Sequence, residues 1–403
     1  MNNRFLRRAS FALLLLTSYI LLLTSQACSP EPPLYLYDAQ EVESELPIID
    51  LNLDVYWEYE TDLGIDYNWR ADWYYGWDET DRERFGELGY TMPKVFELRR
   101  YYTASTPYAP HTGAISNTVE GRRFVGRYNW GYWDILAWNQ ITTLDGVQSL
   151  IFDEKLSLDS VIAYTNPTMH VSRYQAPRYT HSFYEPEPLF SAYEQAIDIN
   201  RNLEGFVYDA DRKVWIKELH MLLRPITYIY LTQVILHNNK GRITSIDGTA
   251  SFSGLARSTN LNTGQSGSDA ITVHYNTRMK RNIPLVAFGT RTEDVPIGTE
   301  YVDIVGGRVM TFGICNLKAN DIVRADEVKE PHHHYMDVTM QFNNGMDSTF
   351  VFDVTEQVRS RYKGGVITVE LNVDTVPIPT RSGGSGFDAV VLPPDSVTHV
   401  IEM

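Results

Sequence analysis

Polar and apolar residues alternate with a period of two along much of the chain. The alternation is clear from Ile49 to Glu60, where apolar residues occupy nearly every second position. Successive side chains of a strand point to opposite faces of a sheet, so this pattern predicts a β-strand. Similar runs recur at residues 126–138, 158–164, 222–237, 249–255, 270–275, 283–289, 308–316, 335–342, 348–354 and 366–373.

Turn sequences rich in Gly and Asn separate these runs. Examples are Asn239-Lys240-Gly241, Asp247-Gly248, Asn262-Thr263-Gly264, Gly306-Gly307, Asn344-Gly345 and Lys363-Gly364-Gly365. Short strands joined by such turns are typical of β-sandwiches rather than of alternating strands and helices. The sequence therefore predicts an all-β fold.

Helical spacing is confined to two short segments. In the first, Leu189, Phe190, Tyr193 and Ile197 follow Pro188, a residue suited to the first turn of a helix. The second begins with Asp353 and Glu356 in the spacing of a capping box. Its apolar residues are Val354, Val358 and Tyr362. We expect one short helix in each.

With 403 residues, the chain is long enough for two ordinary domains. Three prolines fall within residues 177–188. The sequence before them is rich in Trp and Tyr, whereas the sequence after them is rich in Gly, Asn and Thr. We therefore predict an N-terminal domain over residues 46–185 and a C-terminal domain over residues 186–403.

The first 27 residues have the pattern of a secretory signal peptide. Three arginines precede an apolar run from Phe11 to Leu23, and Ser25-Gln26-Ala27 then lead into Cys28. The apolar run is shorter than the roughly 20 residues that a membrane-spanning helix needs. A cysteine at this place resembles a bacterial lipoprotein signal, in which the cysteine is acylated and becomes the new N-terminus. An ordinary signal peptide with an incidental cysteine is the alternative.

Acylation of Cys28 would tether the mature chain to a membrane. Residues 28–45 contain the Pro-rich stretch Ser29 to Pro33 and would form an extended tether. Cys315 would then be the only remaining thiol, so no internal disulfide is expected. These features predict a tethered extracytoplasmic protein. A lipid anchor at the outer membrane and exposure on the cell surface are expected from the family resemblance described below.

Composition argues against nucleic-acid binding and identifies no catalytic site. The formal net charge is −16, whereas binding to nucleic acid depends on a basic surface. Of the consecutive residues His332, His333 and His334, at most two can converge on one metal ion, and an exposed loop is the simpler interpretation. We find no motif of a hydrolase or phosphate-binding loop. We therefore predict no enzymatic activity, no metal site and no cofactor.

Aromatic residues are concentrated in one segment. Nine Trp and Tyr residues fall within the 22 positions from Tyr56 to Trp77. We expect Tyr56, Trp57 and Tyr59, which lie on or beside the first strand, to pack in a core. Two alternatives stay open for the later members, which are packing beneath a loop and an exposed platform on which sugars stack. Those candidate platform residues are Trp69, Trp73, Tyr74, Tyr75 and Trp77.

Several segments together resemble a known group of proteins. They are the lipoprotein start, PIIDLNLDVYWEYE, GRYNWGYWDILAW, PLFSAY, RPITYIYLTQVIL, IDGTASFSGLARSTNLNTG and FDVTEQVRSRYKGGVITVELNVDTVP. They are similar to Bacteroidetes surface lipoproteins of an unknown-function domain family related to the FimB-type anchors of type V fimbriae. The Trp-dense stretch from Tyr56 to Trp77 departs from those anchors.

The resemblance implies two tandem transthyretin-like β-sandwich domains, few short helices and a role at the base of a fimbria. It also implies fimbrillin-like pilus subunits as partners, since related pilins join by adding a strand to a sheet edge. The alternating residues Val397–Met403 are a candidate strand for such pairing, or simply the last strand of the second domain. Our function hypothesis is a fimbrial anchor or assembly component. The alternative is a surface glycan-binding lipoprotein.

Overall fold

The computed structural model describes residues 46–55, 63–103, 106–141, 149–157, 160–168, 182–200, 202–317, 332–380 and 391–392. The strands of its N-terminal part are β1 (Ile48–Val55), β2 (Val95–Thr103), β3 (Gly113–Glu120), β4 (Arg123–Arg127), β5 (Gly131–Asn139), β6 (Leu150–Ser157), β7 (Ser160–Thr165), β8 (Ser182–Phe183), β9 (Phe190–Ile199), β10 (Val207–Asp209) and β11 (Val214–Pro225). The later strands are β12 (Tyr228–His237), β13 (Ile243–Ala256), β14 (Ser258–Asn260), β15 (Ala270–Pro284), β16 (Tyr301–Thr311), β17 (Tyr335–Phe342), β18 (Asp347–Asp353), β19 (Gly365–Asn372) and β20 (Val391–Leu392). The helices are α1 (Glu79–Phe85) and α2 (Thr355–Ser360), with short 3-10 turns at Trp69–Ala71, Thr292–Asp294 and Val373–Thr375.

The first sandwich consists of two half-sheets. One contains β4, β1, β11 and β10 in that order, and the other contains β3, β2, β5 and β9. They share a core that includes Leu51 from β1, Leu98 from β2 and Ile135 from β5. At one side of this sandwich, a two-residue turn joins β3 to β4. At the other side, β9 and β11 pair only where β9 begins and β11 ends.

The second sandwich is formed by one long, curled sheet. Its strand order is β19, β12, β16, β15, β13, β17, β18 and β20, with β8 added beside β15. Strand β15 pairs with β13 as far as Asn276 and with β16 from Thr277 onward, so it changes from one half-sheet to the other. A third sheet of β14, β7 and β6 combines strands from both parts of the chain. The predicted all-β class, with two β-sandwich domains and few short helices, is confirmed.

Strand β12 is buried on both faces. Ile229, Leu231 and Ile235 belong to the core that also fills the first sandwich, whereas Tyr230 and Val234 belong to the core of the second. This alternation follows from the period of two along a strand. The first sandwich therefore packs against the outer face of the second through β12 and its neighbours.

The division near residue 185 remains a prediction. Strands β9, β10 and β11 lie beyond that residue and still hydrogen-bond within the first sandwich. Strands β12 and onward, apart from β14, belong to the second sandwich. The chain thus passes from the sheet of the first sandwich to the sheet of the second between Pro225 and Tyr228.

Among the described residues, no helix is long and apolar enough to cross a bilayer.

Of the two helix predictions, the first is wrong, whereas the second helix is present. Residues 190–199 form strand β9 and not a helix. The second is α2, but it has no capping box. The Asp353 carboxylate accepts a hydrogen bond from the Thr355 backbone N–H at 3.0 Å, whereas Glu356 lies 3.1 Å from the Arg359 guanidinium.

Candidate functional site

Most of the predicted sugar-stacking platform lies in the protein core. Trp69, Trp73 and Tyr75 are at most 2% exposed, while Tyr74 and Trp77 are half-buried against the same core. Rings without solvent access cannot stack on a sugar. Of the two alternatives left open by the sequence, the burial of Trp69, Trp73 and Tyr75 fits packing beneath a loop. Tyr56, Trp57 and Tyr59 lie outside the described residues.

The aromatic segment is fixed on the outer face of the second sandwich by Gln233 of β12. The Gln233 Oε1 atom accepts hydrogen bonds from the backbone N–H groups of Tyr74 at 3.0 Å and Tyr75 at 3.1 Å. Its Nε2 atom donates to the carbonyl of Asp72 at 2.7 Å and to Thr368 Oγ1 at 2.9 Å. Gln233 is fully buried, and its amide is well supplied with hydrogen-bond partners.

A buried charge cluster holds the end of the same segment. The Asp81 carboxylate is buried and lies 2.6 Å from Lys280 Nζ and 2.9 Å from the Arg278 guanidinium. Tyr75 donates its hydroxyl to Asp81 at 2.8 Å. Tyr75 also lies over Gly306, where an added Cβ would come within 2.4 Å of the ring. The segment lies between β1 and β2 of the first sandwich in the chain, and these contacts attach it to the second sandwich.

The histidine triplet does not form a cluster. His333 is exposed, whereas its neighbour His334 is fully buried, as expected when consecutive residues of an extended chain point to opposite sides. No group of three or more His, Cys, Asp or Glu side chains in the described parts of the chain could hold a metal ion. Cys28 and the candidate strand Val397–Met403 lie outside the described residues.

The sequence did not point to an open strand edge on the first sandwich, between β9 and β11. These strands pair only at Ser191 with Arg224 and at Phe190 with Pro225, and then diverge. β9 continues to Ile199 with β5 on its other side, while β11 bonds β1 on its other side. Among the described residues, no strand occupies the side of residues 192–199 or 217–223 that faces this opening. We call this opening the β9–β11 slot.

A bulge shapes the β9 edge of the slot. Between Trp133 and Ile135 the pairing of β5 with β9 shifts register, and Ala196 adopts a φ of 56°. The Asp134 carboxylate receives the Ala196 backbone N–H at 2.7 Å and the Tyr193 hydroxyl at 3.0 Å. Bulges bend a strand away from regular pairing. Asp134 thus stabilises the bend that accompanies the divergence of β9 from β11.

A small cavity of about 220 Å³ lies at the end of the slot where β9 and β11 pair. At the opposite end, β10 occupies the slot side of β11 beside residues 214–216. Its walls come from both strands and from the loop after β14. The lining residues are Ser191, Ala192, Tyr193, Glu194, His220, Met221, Leu222, Arg224, Ile226, Leu261, Asn262, Thr263 and Gly264. Buried and exposed side chains alternate along β11 here, since Met221 is buried while His220 and Leu222 are exposed. The cavity wall thus offers an incoming strand both apolar side chains, such as Leu222, and polar ones, such as His220.

The outer edge of β19 in the second sandwich is covered by side chains. The Gln357 amide donates to the carbonyl of Thr368 at 2.8 Å and accepts its N–H at 3.0 Å, as a neighbouring strand would do. The Tyr67 hydroxyl accepts the Val366 N–H at 2.8 Å, and Arg361 donates to the Val366 carbonyl. Unpaired edges invite other strands, and side chains that occupy them block pairing. Along residues 217–223 of the β9–β11 slot, no side chain of the described residues bonds the strand edge in this way.

A second cavity of about 750 Å³ lies beside residues 182–188. Burial raises the pKa of both Glu185 and Glu187 in its wall. Glu185 accepts the Met310 backbone N–H at 2.7 Å and lies 3.5 Å from the Arg308 guanidinium. These contacts attach the connecting segment to β16, and we assign Glu185 a structural role.

Comparison with known proteins gives fold neighbours only. No protein-family model matches the sequence, and no curated protein matches it. A candidate adhesin of Bacteroides ovatus aligns at a TM-score of 0.45 and 12% identity, covering 82% of this chain and 94% of that one. A candidate polysaccharide-binding protein of Bacteroides thetaiotaomicron aligns at 0.36 and 8%, covering 81% and 91%.

The fimbrial anchor protein Mfa2 of Porphyromonas gingivalis aligns at a TM-score of 0.37 and 10% identity, covering 80% of this chain and 90% of that one. At these identities and TM-scores the neighbours assign no function to this chain. The structural neighbours include candidate adhesins and fimbrial proteins of Bacteroidetes.

Proposed function

We propose that the protein is a lipid-anchored component of the bacterial cell surface that takes part in a fimbrial or adhesive assembly, as an anchor. It binds an extended segment of a partner along the β9–β11 slot and has no catalytic role. The lipid on Cys28 fixes its position at the outer membrane. The partners are fimbrillin-like pilus subunits, the class implied by the sequence resemblance.

The open slot is the observation that carries this proposal. Exposed backbone N–H and C=O groups along a strand edge bind an incoming strand by main-chain hydrogen bonds, while alternate side-chain pockets provide specificity. The slot offers about seven residues of edge on β11 and eight on β9. The covered edge of β19 supports the choice of this site over that edge of the second sandwich.

Cross-linking from the slot tests the docking site. We expect a photoreactive amino acid at position 194 or 220, both exposed in the slot, to capture a fimbrillin-like subunit on intact cells. The matched control is position 297, where Ile297 is fully exposed in a loop of the second sandwich. Equal capture from position 297, or no capture from the slot positions, would contradict docking at the slot.

Removal of the acylated cysteine tests the anchor. We expect Cys28→Ala to release the protein and its attached fimbriae into the medium, because no lipid would then hold the chain. Cys315→Ala is the control, since it removes the other cysteine, which is buried in the fold. Immunoblots of shed filament measure the effect. If shed filament does not rise in Cys28→Ala, the anchoring role is wrong.

A further inference from the structure

Exposed aromatic rings gather at one end of the first sandwich. Among the described residues, five Trp, Tyr or Phe side chains are strongly exposed, and four of them lie in loops or strand ends at this end. The four are Tyr108 (83% exposed), Trp130 (39%), Tyr208 (49%) and Trp215 (39%). We call them the aromatic end. Val207, which is 74% exposed, lies beside them.

Strand register places these residues together at the end where β1 begins. Ile48, the first residue of β1, is aligned with Ile216 of β11, which is aligned with Val207 of β10. Tyr208 and Trp215 pair with each other one position further out, with ring centroids 5.2 Å apart. The hairpin of β10 and β11 therefore extends past the start of β1.

The second half-sheet brings the other two rings to the same end. Strand β4 runs antiparallel to β1 and finishes at Arg127, opposite Ile48, so the following loop with Trp130 lies at this end. Strand β2 finishes at Thr103, opposite Tyr132 near the start of β5. Tyr108 lies in the loop that follows β2.

The rest of the N-terminal chain joins the fold at this end. The Leu46 carbonyl accepts a hydrogen bond from Arg127 at 3.1 Å, and the Pro47 carbonyl accepts the Tyr128 N–H at 3.1 Å. Eighteen residues, from Cys28 to Glu45, separate the predicted lipid from this point. They span at most about 60 Å when fully extended.

We propose that the aromatic end rests on the lipid headgroups of the membrane that holds the acylated Cys28. Trp and Tyr combine an apolar ring with a polar tip and are favoured at the membrane–water interface. One lipid anchor is strengthened by a second attachment of this kind. This inference rests on the proposed anchoring, and it adds an orientation in which β1 begins at the membrane.

The geometry favours a membrane over a glycan as the occupant. The Tyr208 and Trp215 rings are inclined by 56° to each other, so they do not form one flat face for a sugar ring. The remaining rings lie on separate loops around the point where the tether enters. Rings spread around the tether in this way can contact the surface of a membrane together.

Depth measurement on the lipidated protein tests the orientation. The acylated full chain is reconstituted into vesicles of phosphatidylethanolamine and phosphatidylglycerol that carry doxyl-labelled lipid. A fluorophore is attached through Lys213→Cys, at the tip of the β10–β11 hairpin, or through Ile297→Cys in the second sandwich. We expect lipid-borne doxyl groups to quench the probe at 213 and not the probe at 297. We expect the quenching at 213 to be lost, and binding to the vesicles to be kept, in the triple variant Trp130→Ala/Tyr208→Ala/Trp215→Ala.

Each other outcome has a distinct meaning. Vesicle-bound protein whose probe at 213 is not quenched would overturn the aromatic-end proposal and leave the anchor intact. An acylated chain that does not associate with the vesicles would count against the anchor itself. Binding of the Cys28→Ala chain to immobilised polysaccharide, with loss of that binding in the triple variant, would overturn the membrane assignment in favour of a glycan.

Discussion

Replacing Trp73 by alanine is expected to lower the free energy of unfolding by about 3 to 5 kcal/mol, the range found when a large aromatic side chain is removed from a core. Trp73 is fully buried and packs against Tyr75, with ring centroids 5.5 Å apart. Trp73 belongs to a buried apolar cluster that draws residues from both sandwiches, so little collapse into the cavity is expected. Chemical denaturation followed by circular dichroism measures the loss.

Trp215→Ala is the matched control, because it removes the same side chain from an exposed position on β11. We expect its cost to be about 1 kcal/mol or less. A Trp73→Ala variant with unchanged stability and lost sugar binding would instead restore the platform interpretation. Loss of stability in Trp73→Ala alone would show that the segment serves the fold.

The strands that the sequence predicted well are those with regular alternation. Strand β1 begins within one residue of the predicted start, and β17 matches residues 335–342. In each, apolar residues of one face join a buried apolar cluster while most residues between them are polar, so the period of two is present in the sequence. The predicted run 222–237 instead covers the end of β11 and all of β12, with a break at Ile226 and Thr227. Burial of β12 on both faces removes the polar residues that would have marked the boundary.

Strand β9 was predicted as a helix for a physical reason. Its bulge at Ala196 adds a residue, so the inward-facing positions change from even to odd numbers along the strand. Phe190 and Ile197 therefore face the same core, seven residues apart, which is also the spacing of two helical turns. A bulge in a strand and an amphipathic helix give the same apolar spacing over so short a run.

The aromatic segment and the slot depend on partners distant in sequence. Gln233 lies 159 residues from Tyr74, and nothing in the local pattern links the two. The sequence shows how many aromatic rings the segment contains, but not which surface buries them. An open edge is equally a tertiary property, because β9 and β11 have ordinary strand sequences. What leaves the slot empty is the absence, among the described residues, of a third strand beside them.

Burial makes His334 a source of acid sensitivity. The side chain is enclosed beside Gly254, where an added Cβ would lie 2.7 Å from the His334 Nδ1 atom. Burial is the main cause that lowers the pKa of His334 from 6.5 to about 3; the nearby Arg359 and His332 act in the same direction, while the Ser253 backbone and Asp353 oppose them. The imidazole is therefore neutral in the folded protein at every pH at which the protein is expected to work.

Stability should consequently fall as the pH drops from about 6.5 toward 3. Above pH 6.5 both states carry a neutral imidazole, and His334 makes no pH-dependent contribution. Below it the unfolded chain binds a proton that the folded chain does not, which costs about 2 to 3 kcal/mol of unfolding free energy by pH 4.5. His334→Gln should remove this part of the pH dependence, whereas His333→Gln, at an exposed neighbour, should retain it. Urea denaturation of the three proteins at pH 7 and pH 4.5 measures the difference, and parallel losses in all three would show that His334 is not its source.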